Sequence, residues 1–363
     1  MSDSAKQRSP RSAFLPRRED GAIRGLRDLS LQDVHEIRLL IGGDSVIDWH
    51  RLALRDESDV RRLLAVNSID VDNPDDLERL DALRTEAVRY TREVLNLRLD
   101  DELATRVSVL ELPLLASGHG RFQRQACTLL KVMHIIYHLD ARELRMALAI
   151  SDNELFGAVE QSVVTMFDEL RSAGVPVVEF SWSRKSKDSL VTKLLVKRET
   201  SAARVFDRLR FRVIVGNPDD IIPTLHVMLR RFIPFNYVVP GQTVNNMVDL
   251  RALRRRIGRI RDVVAVPRQA VPAVANEFSS RGYQVLNFVA DLPVRVDGLL
   301  PEGRADVAGN VVFVLAEFQI IDRERAQRNE QGESSHTEYK RRQHQRVRER
   351  LLREPRKDEP DPS

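Results

Sequence analysis

Residues 311–320 read VVFVLAEFQI, and the next twenty, 321–340, read IDRERAQRNEQGESSHTEYK. The first segment is apolar and β-branched, which predicts a strand. Alternate residues of a strand share a face. Val312, Val314, Ala316, Phe318 and Ile320 therefore make one wholly apolar side, while Val311, Phe313, Leu315, Glu317 and Gln319 make a side that turns polar at its end. An ionised carboxylate beside apolar walls needs a cation or a metal. Glu317 at a strand end is thus a candidate site residue, although an edge strand with ordinary exposed polar groups would show the same pattern.

Around this strand the second half of the chain alternates between periods. VVEFSW (177–182), DRLRFRVIV (207–215) and GYQVLNFVADLPVRV (282–296) read as further strands; KDSLVTKLLVKR (187–198), PDDIIPTLHVMLRRF (218–232) and HTEYKRRQHQRVRERLL (336–352) read as helices. That order predicts an α/β arrangement from about 175 to 353. From about 31 to 173 the spacing is helical throughout. Asn73-Pro74-Asp75-Asp76 reads as a helix start, and FQRQACTLLKVMHIIYHLDARELRMAL (122–148) as a long helical stretch with room for one break. The expected organisation is a basic disordered tail at 1–28, a helical domain at 29–173, an α/β domain at 174–353 and a disordered tail at 354–363.

Composition narrows the class. The chain has 363 residues, 42% hydrophobic and 31% charged, with a formal net charge of +4. No apolar run is long enough to span a bilayer, and the polar, basic first twenty residues lack the apolar segment of a secretory signal. A single cysteine, Cys127, excludes an internal disulfide and fits a reducing compartment, so a cytoplasmic protein is expected. Basic clusters at 251–261 and 340–353 would suit phosphate, on a nucleotide or an RNA, or simply a solvated helix face.

Two more features point to phosphate chemistry. Asp207 opens a strand and would give a second carboxylate for Mg²⁺, which takes oxygen ligands; a helix or turn cap is the plainer role. Lys185, Ser189 and Lys193 recur every four residues, which would place two ammonium groups and a hydroxyl on one face near a helix N-terminus, a setting for a triphosphate. No glycine-rich cradle precedes them, so this is not a P-loop.

Together these pieces resemble the synthetase domain of the RelA/SpoT family, the alarmone (p)ppGpp synthetases. That family carries Lys, Ser-Ile and Lys at four-residue steps, matched by Lys185, Ser189-Leu190 and Lys193. Its next strand opens with Asp and reads Gly-x-Arg-Val-Ile; here Asp207 precedes Arg210-Phe211-Arg212-Val213-Ile214, with Arg210 in the glycine's place. Gly282-Tyr283-Gln284-Val285-Leu286-Asn287 is similar to its Gly-Tyr-Gln-x-Leu-His, and Glu317-Phe318-Gln319-Ile320 to its Glu-Ile-Gln-Ile. Glu330, Gly332, His336 and Tyr339-Lys340 match the spacing of Glu-x-Gly-x-x-x-His-x-x-Tyr-Lys.

The resemblance covers about half the chain, 175–345, with insertions relative to the family near 241–281 and 293–309. It implies a mixed-sheet nucleotidyltransferase-like domain of α+β class and a Mg²⁺-dependent transfer of the ATP β,γ-diphosphate to the 3′-hydroxyl of a guanine nucleotide. By it, Asp207 and Glu317 would hold Mg²⁺, with Glu317 and Gln319 at the reacting end. Lys185, Ser189, Lys193 and Arg212 would meet the ATP phosphates, and Tyr283, Asn287, His336 and Lys340 the acceptor. Ser183, Asn287 and Ile321 stand where the family has arginine, histidine and arginine. Those departures leave open a degenerate fold that binds a nucleotide or RNA without catalysis, or a pyrophosphokinase with an adenine-nucleotide or tRNA acceptor. The family's hydrolase domain is not expected here, because residues 1–170 hold no adjacent His-Asp pair; His134 and His138, with Asp140 beyond, read as core or interface residues. The helical half would serve packing, homo-oligomer formation or a partner.

Overall fold

The computed structural model describes residues 29–42, 49, 52–172, 174–196, 208–249, 282–297, 309–331 and 336–352. Seven helices come first: α1 (Leu31–Gly42), α2 (Glu57–Val66), α3 (Pro74–Arg89), α4 (Asp101–Thr105), α5 (Leu112–Ser117), α6 (Gln123–Ala147) and α7 (Asp152–Ser172). Local chemistry sets their ends. The Asn73 side chain accepts from the Asp75 amide at the start of α3, with Pro74 at the first helical position, and Asp56 accepts from the Asp59 amide to start α2. The stretch expected to allow one break runs unbroken as the 25-residue α6. Beyond α3 the backbone widens into a single π-helical turn at Tyr90–Val94.

The second half contributes β1 (Val177–Arg184), α8 (Lys187–Val196), β2 (Leu209–Val215), α9 (Ile221–Arg231), β3 (Val244–Asn245), β4 (Leu286–Arg295), β5 (Val311–Asp322), α10 (Arg323–Asn329) and α11 (His336–Leu351). The five strands form one mixed sheet in the order β1-β2-β5-β4-β3. β2 and β5 run parallel, and the other pairs are antiparallel. The protein is therefore α+β, with the strand at 311–322 in the centre.

The two faces of β5 divide as the alternation requires. On the apolar face, Phe318 stacks between Phe211 of β2 and Phe288 of β4, with ring centroids 5.3 and 5.4 Å away. Phe232 after α9 and Phe167 of α7 complete that aromatic layer. On the opposite face, the early part of β5 is covered by α6: Tyr137 and His138 meet Phe313 edge-on, and Tyr237 packs on the same ring at 4.4 Å. The late part, where Glu317 and Gln319 stand, lies beyond this cover.

Helical half and sheet share one core, which runs from Leu29 through Phe167 to Ile320. Polar ties cross the same boundary. Asn67 and Asn236 bond reciprocally through their buried amides, Arg295 of β4 forks onto Asp76 of α3 at 2.6 and 3.2 Å, and Ser68 donates to the Pro293 carbonyl. Among the described residues no helix is long and apolar enough to cross a membrane. Both expected disordered tails, the basic cluster at 251–261 and most of the two expected insertions lie outside the described residues.

Candidate functional site

Strand register assembles the site. Arg210 of β2 lies opposite Glu317 of β5, Arg212 lies opposite Gln319, and Gln319 in turn faces Asn287 of β4. These five polar side chains therefore share the sheet face opposite the phenylalanine layer. The strands that carry them end close together because β2 and β5 are parallel neighbours.

Glu317 is buried, at 5% exposure. Both its oxygens are engaged: Arg210 Nε donates to Oε2 at 2.7 Å, and Gln319 Nε2 donates to Oε1 at 3.3 Å. The cation that a carboxylate in this setting needs is thus a guanidinium from the adjacent strand. Arg212, 31% exposed, reaches Glu330 at 3.3 Å and so links β2 to the segment after α10.

Tyr283 borders this patch. Burial raises its phenol above the usual tyrosine range, offset by Arg210 and Arg212 and reinforced by Glu317, so all three charges lie within electrostatic reach of the ring. Its loop is firmly held. Asn246 Nδ2 donates to the Tyr283 carbonyl, Asn329 Nδ2 donates to the Gln284 carbonyl, and Arg325 Nε donates to Gln284 Oε1, each at 2.8 Å. Asn287 Oδ1 is buried, and among the described residues no donor reaches it. A buried amide oxygen in that state calls for a donor from elsewhere, such as a ligand or a water.

The remaining expected residues fall differently. Lys185 does not share a helix face with Ser189 and Lys193. Helix α8 begins only at Lys187, after Ser186 Oγ accepts from the Ser189 amide at 3.3 Å, and Lys185 sits in the turn before it. Serine N-capping starts the helix at Lys187, where its sequence suggests, and leaves Lys185 outside it. Ser189 Oγ lies 3.0 Å from Ser186 Oγ. Helix α8 packs against α11, the helix that carries Tyr339 and Lys340, so the two basic segments are brought together. Lys340 is exposed, and the His336 backbone opens α11. Asp207 lies outside the described residues.

His134, His138 and Asp140 do not form a cluster. His134 stacks on Tyr237 with centroids 4.3 Å apart, and burial, then His138, push it down to about 4. His138 Nε2 lies 2.8 Å from Asp291 Oδ2, whereas Asp140 pairs with Arg79.

Among the described residues Mg²⁺ fits this arrangement poorly; Asp207, its other expected ligand, lies outside them. Among the described residues no group of three His, Cys, Asp or Glu side chains is placed to hold a metal ion. The one buried carboxylate on the patch already carries a guanidinium within hydrogen-bond distance. At an effective dielectric of about 20, a divalent and a monovalent cation about 4 Å apart repel by about 8 kcal/mol, so a metal would enter only if Arg210 moved away.

No family model matches the sequence, and no curated protein matches it. Solved structures do. The chain is similar to alarmone synthetases. A GTP pyrophosphokinase family protein from Streptococcus pneumoniae shares 15% identity at a TM-score of 0.29, covering 55% of this chain and 83% of its own. Small alarmone synthetase 1 from Bacillus subtilis, bound to its product pppGpp, shares 14% identity at a TM-score of 0.28, covering 61% of this chain and 93% of its own. Small alarmone synthetase 2 from Bacillus subtilis shares 16% identity at 0.28, covering 54% and 92%. These are proteins of the kind that the sequence motifs resemble. The site rests on the register and contacts above.

Arg210 is the residue that sequence reasoning did not place in the site. The signal was present: Arg210 and Arg212 are two apart on one strand and so share a face. The information missing was which strand lies beside β2 and in what register.

Proposed function

We propose that the polar sheet face binds a purine nucleoside polyphosphate, with the base on Tyr283 and the phosphates toward Arg212 and the basic residues of the α8–α11 side. One observation carries this reading: two arginines, a glutamine and an asparagine with an unmet amide oxygen stand in register on one face, bordered by a held tyrosine. Aromatic faces hold unpaired bases, arginines hold phosphates through fixed N–H forks, and an amide oxygen accepts from a base or ribose donor. Residues Lys185, Ser189, Lys193, His336 and Lys340 are assigned to the phosphates or the acceptor on the strength of the motif resemblance.

The transfer reading is supported by the Glu317-Phe318-Gln319-Ile320 motif, which lies in the second half of β5 with Glu317 and Gln319 on its polar face. Under it, the chain moves the ATP β,γ-diphosphate to a guanine nucleotide, using Mg²⁺ on Asp207 and Glu317. The Arg210–Glu317 pair weighs against it, so binding without transfer is the function put forward.

Equilibrium titration of ATP and GDP tests the proposal, with Tyr283→Ala as the control variant and γ-labelled ATP plus GDP, GTP, AMP or tRNA as the transfer assay. The expected result is binding that weakens about tenfold or more in Tyr283→Ala, since base stacking contributes about 1–3 kcal/mol, with no label transferred. Label appearing on a guanine nucleotide would replace this reading with the pyrophosphokinase. Absence of nucleotide binding would remove it.

A further inference from the structure

The Arg210–Glu317 pair has a consequence for the form of the ligand. Nucleoside polyphosphates usually reach proteins with a divalent cation bridging their oxygens, and acidic side chains hold that cation. Here the acidic side chain at the centre of the patch is already neutralised from within. Arg210 Nε lies 2.7 Å from Glu317 Oε2, the two residues stand opposite each other across the β2–β5 ladder, and Gln319 engages the other oxygen. A parallel ladder between central strands fixes that geometry, unlike an ion pair between surface side chains. Arg210 remains 30% exposed on the face that Tyr283 borders.

We infer that Arg210 is a resident counter-ion that takes the place of a divalent metal at Glu317, so that this site takes its nucleoside polyphosphate in the metal-free form. The inference rests on the nucleotide reading above for its ligand, and on the ion pair alone for its claim about metal. With Arg210 neutralised by Glu317, Arg212, whose partner Glu330 is exposed, is the cation on that face that a phosphate would meet, and a phosphate group that arrives without Mg²⁺ presents more negative charge to it. Metal bound to the nucleotide would compete for the same oxygens.

Two titrations on the full-length chain separate the parts of this inference. In the first, ATP and GDP are titrated into the wild-type protein in excess MgCl₂ and in EDTA. The expected result is binding in EDTA equal to that in MgCl₂, or tighter. Binding that disappears in EDTA and returns with Mg²⁺ would overturn the inference and leave the nucleotide reading intact. No binding in either buffer would overturn both. In the second, Mn²⁺ alone is followed by its paramagnetic signal and by thermal melting, with no nucleotide present, in the wild type and in Arg210→Gly. The wild type is expected to leave the Mn²⁺ signal unchanged. Arg210→Gly is expected to take up Mn²⁺ and to melt at a higher temperature with it than without. Uptake of Mn²⁺ by the wild type, displacing Arg210, would overturn the inference whatever nucleotides do. If Arg210→Gly does not fold, the wild-type Mn²⁺ titration decides the matter alone.

Discussion

At the residue scale, buried charge is the organising fact of this protein. Glu317 resolves its burial by pairing, whereas Glu36 of α1 resolves it by titrating. Glu36 is 8% exposed and accepts a 2.6 Å hydrogen bond from Gln32 Nε2. Burial pushes its carboxyl up to about 7, against the lowering effects of Gln32 and Arg62. A carboxyl whose folded pKa lies above its unfolded value binds more protons when folded across that interval, so stability falls as pH rises from about 4.5 to about 7 and stays lower above it. Glu36→Gln keeps an acceptor for Gln32 and removes the charge. It is expected to stabilise the protein by about 1–3 kcal/mol at pH 8 and by little at pH 4.5, as measured by denaturant unfolding at both values. Equal effects at the two pH values would show that Glu36 is not held neutral. None of this was legible in the sequence, where LQDVHEIRLLI is an ordinary amphipathic helix. Only the folded chain shows that the side bearing Glu36 is also buried.

At the element scale, β5 explains most of what was readable. Its alternation separated an apolar side from one that turns polar, and both sides exist as expected. The apolar side is a stack in which Phe318 has no exposure and touches Phe211, Phe288 and Phe232. Phe318→Ala would empty the middle of that layer and is expected to cost about 3–5 kcal/mol, the usual range for a buried phenylalanine. A chemical-denaturation midpoint shift corresponding to less than about 1 kcal/mol would mean that the layer can collapse around the gap. The sequence pattern also located the start of α3, and α6 and α9, to within a few residues. Lys185 was misplaced because a lysine spacing of four fits a helix, while the serine at 186 caps one that starts later. The pairing of Arg210 with Glu317 could not be read at all. Their separation along the chain is 107 residues, and a parallel register between distant strands leaves no local trace.

At the scale of the whole molecule, the helical half and the sheet meet over one continuous core and through Arg295–Asp76 and Asn67–Asn236, so the described helices of the first half brace the strands that present the site. Helical periodicity announced those helices without saying which faces would meet the sheet, because an amphipathic stripe specifies that it is buried and not against what. The central claim is that the polar end of the sheet holds a nucleotide on fixed protein charges. The most direct measurement is a crystal structure of the full chain grown with GDP in EDTA. The account predicts the guanine against the Tyr283 ring, a phosphate within hydrogen-bond distance of Arg212, a ligand donor on Asn287 Oδ1, and Arg210 still paired with Glu317. A nucleotide bound away from Tyr283, or an Arg210 swung off Glu317, would contradict it.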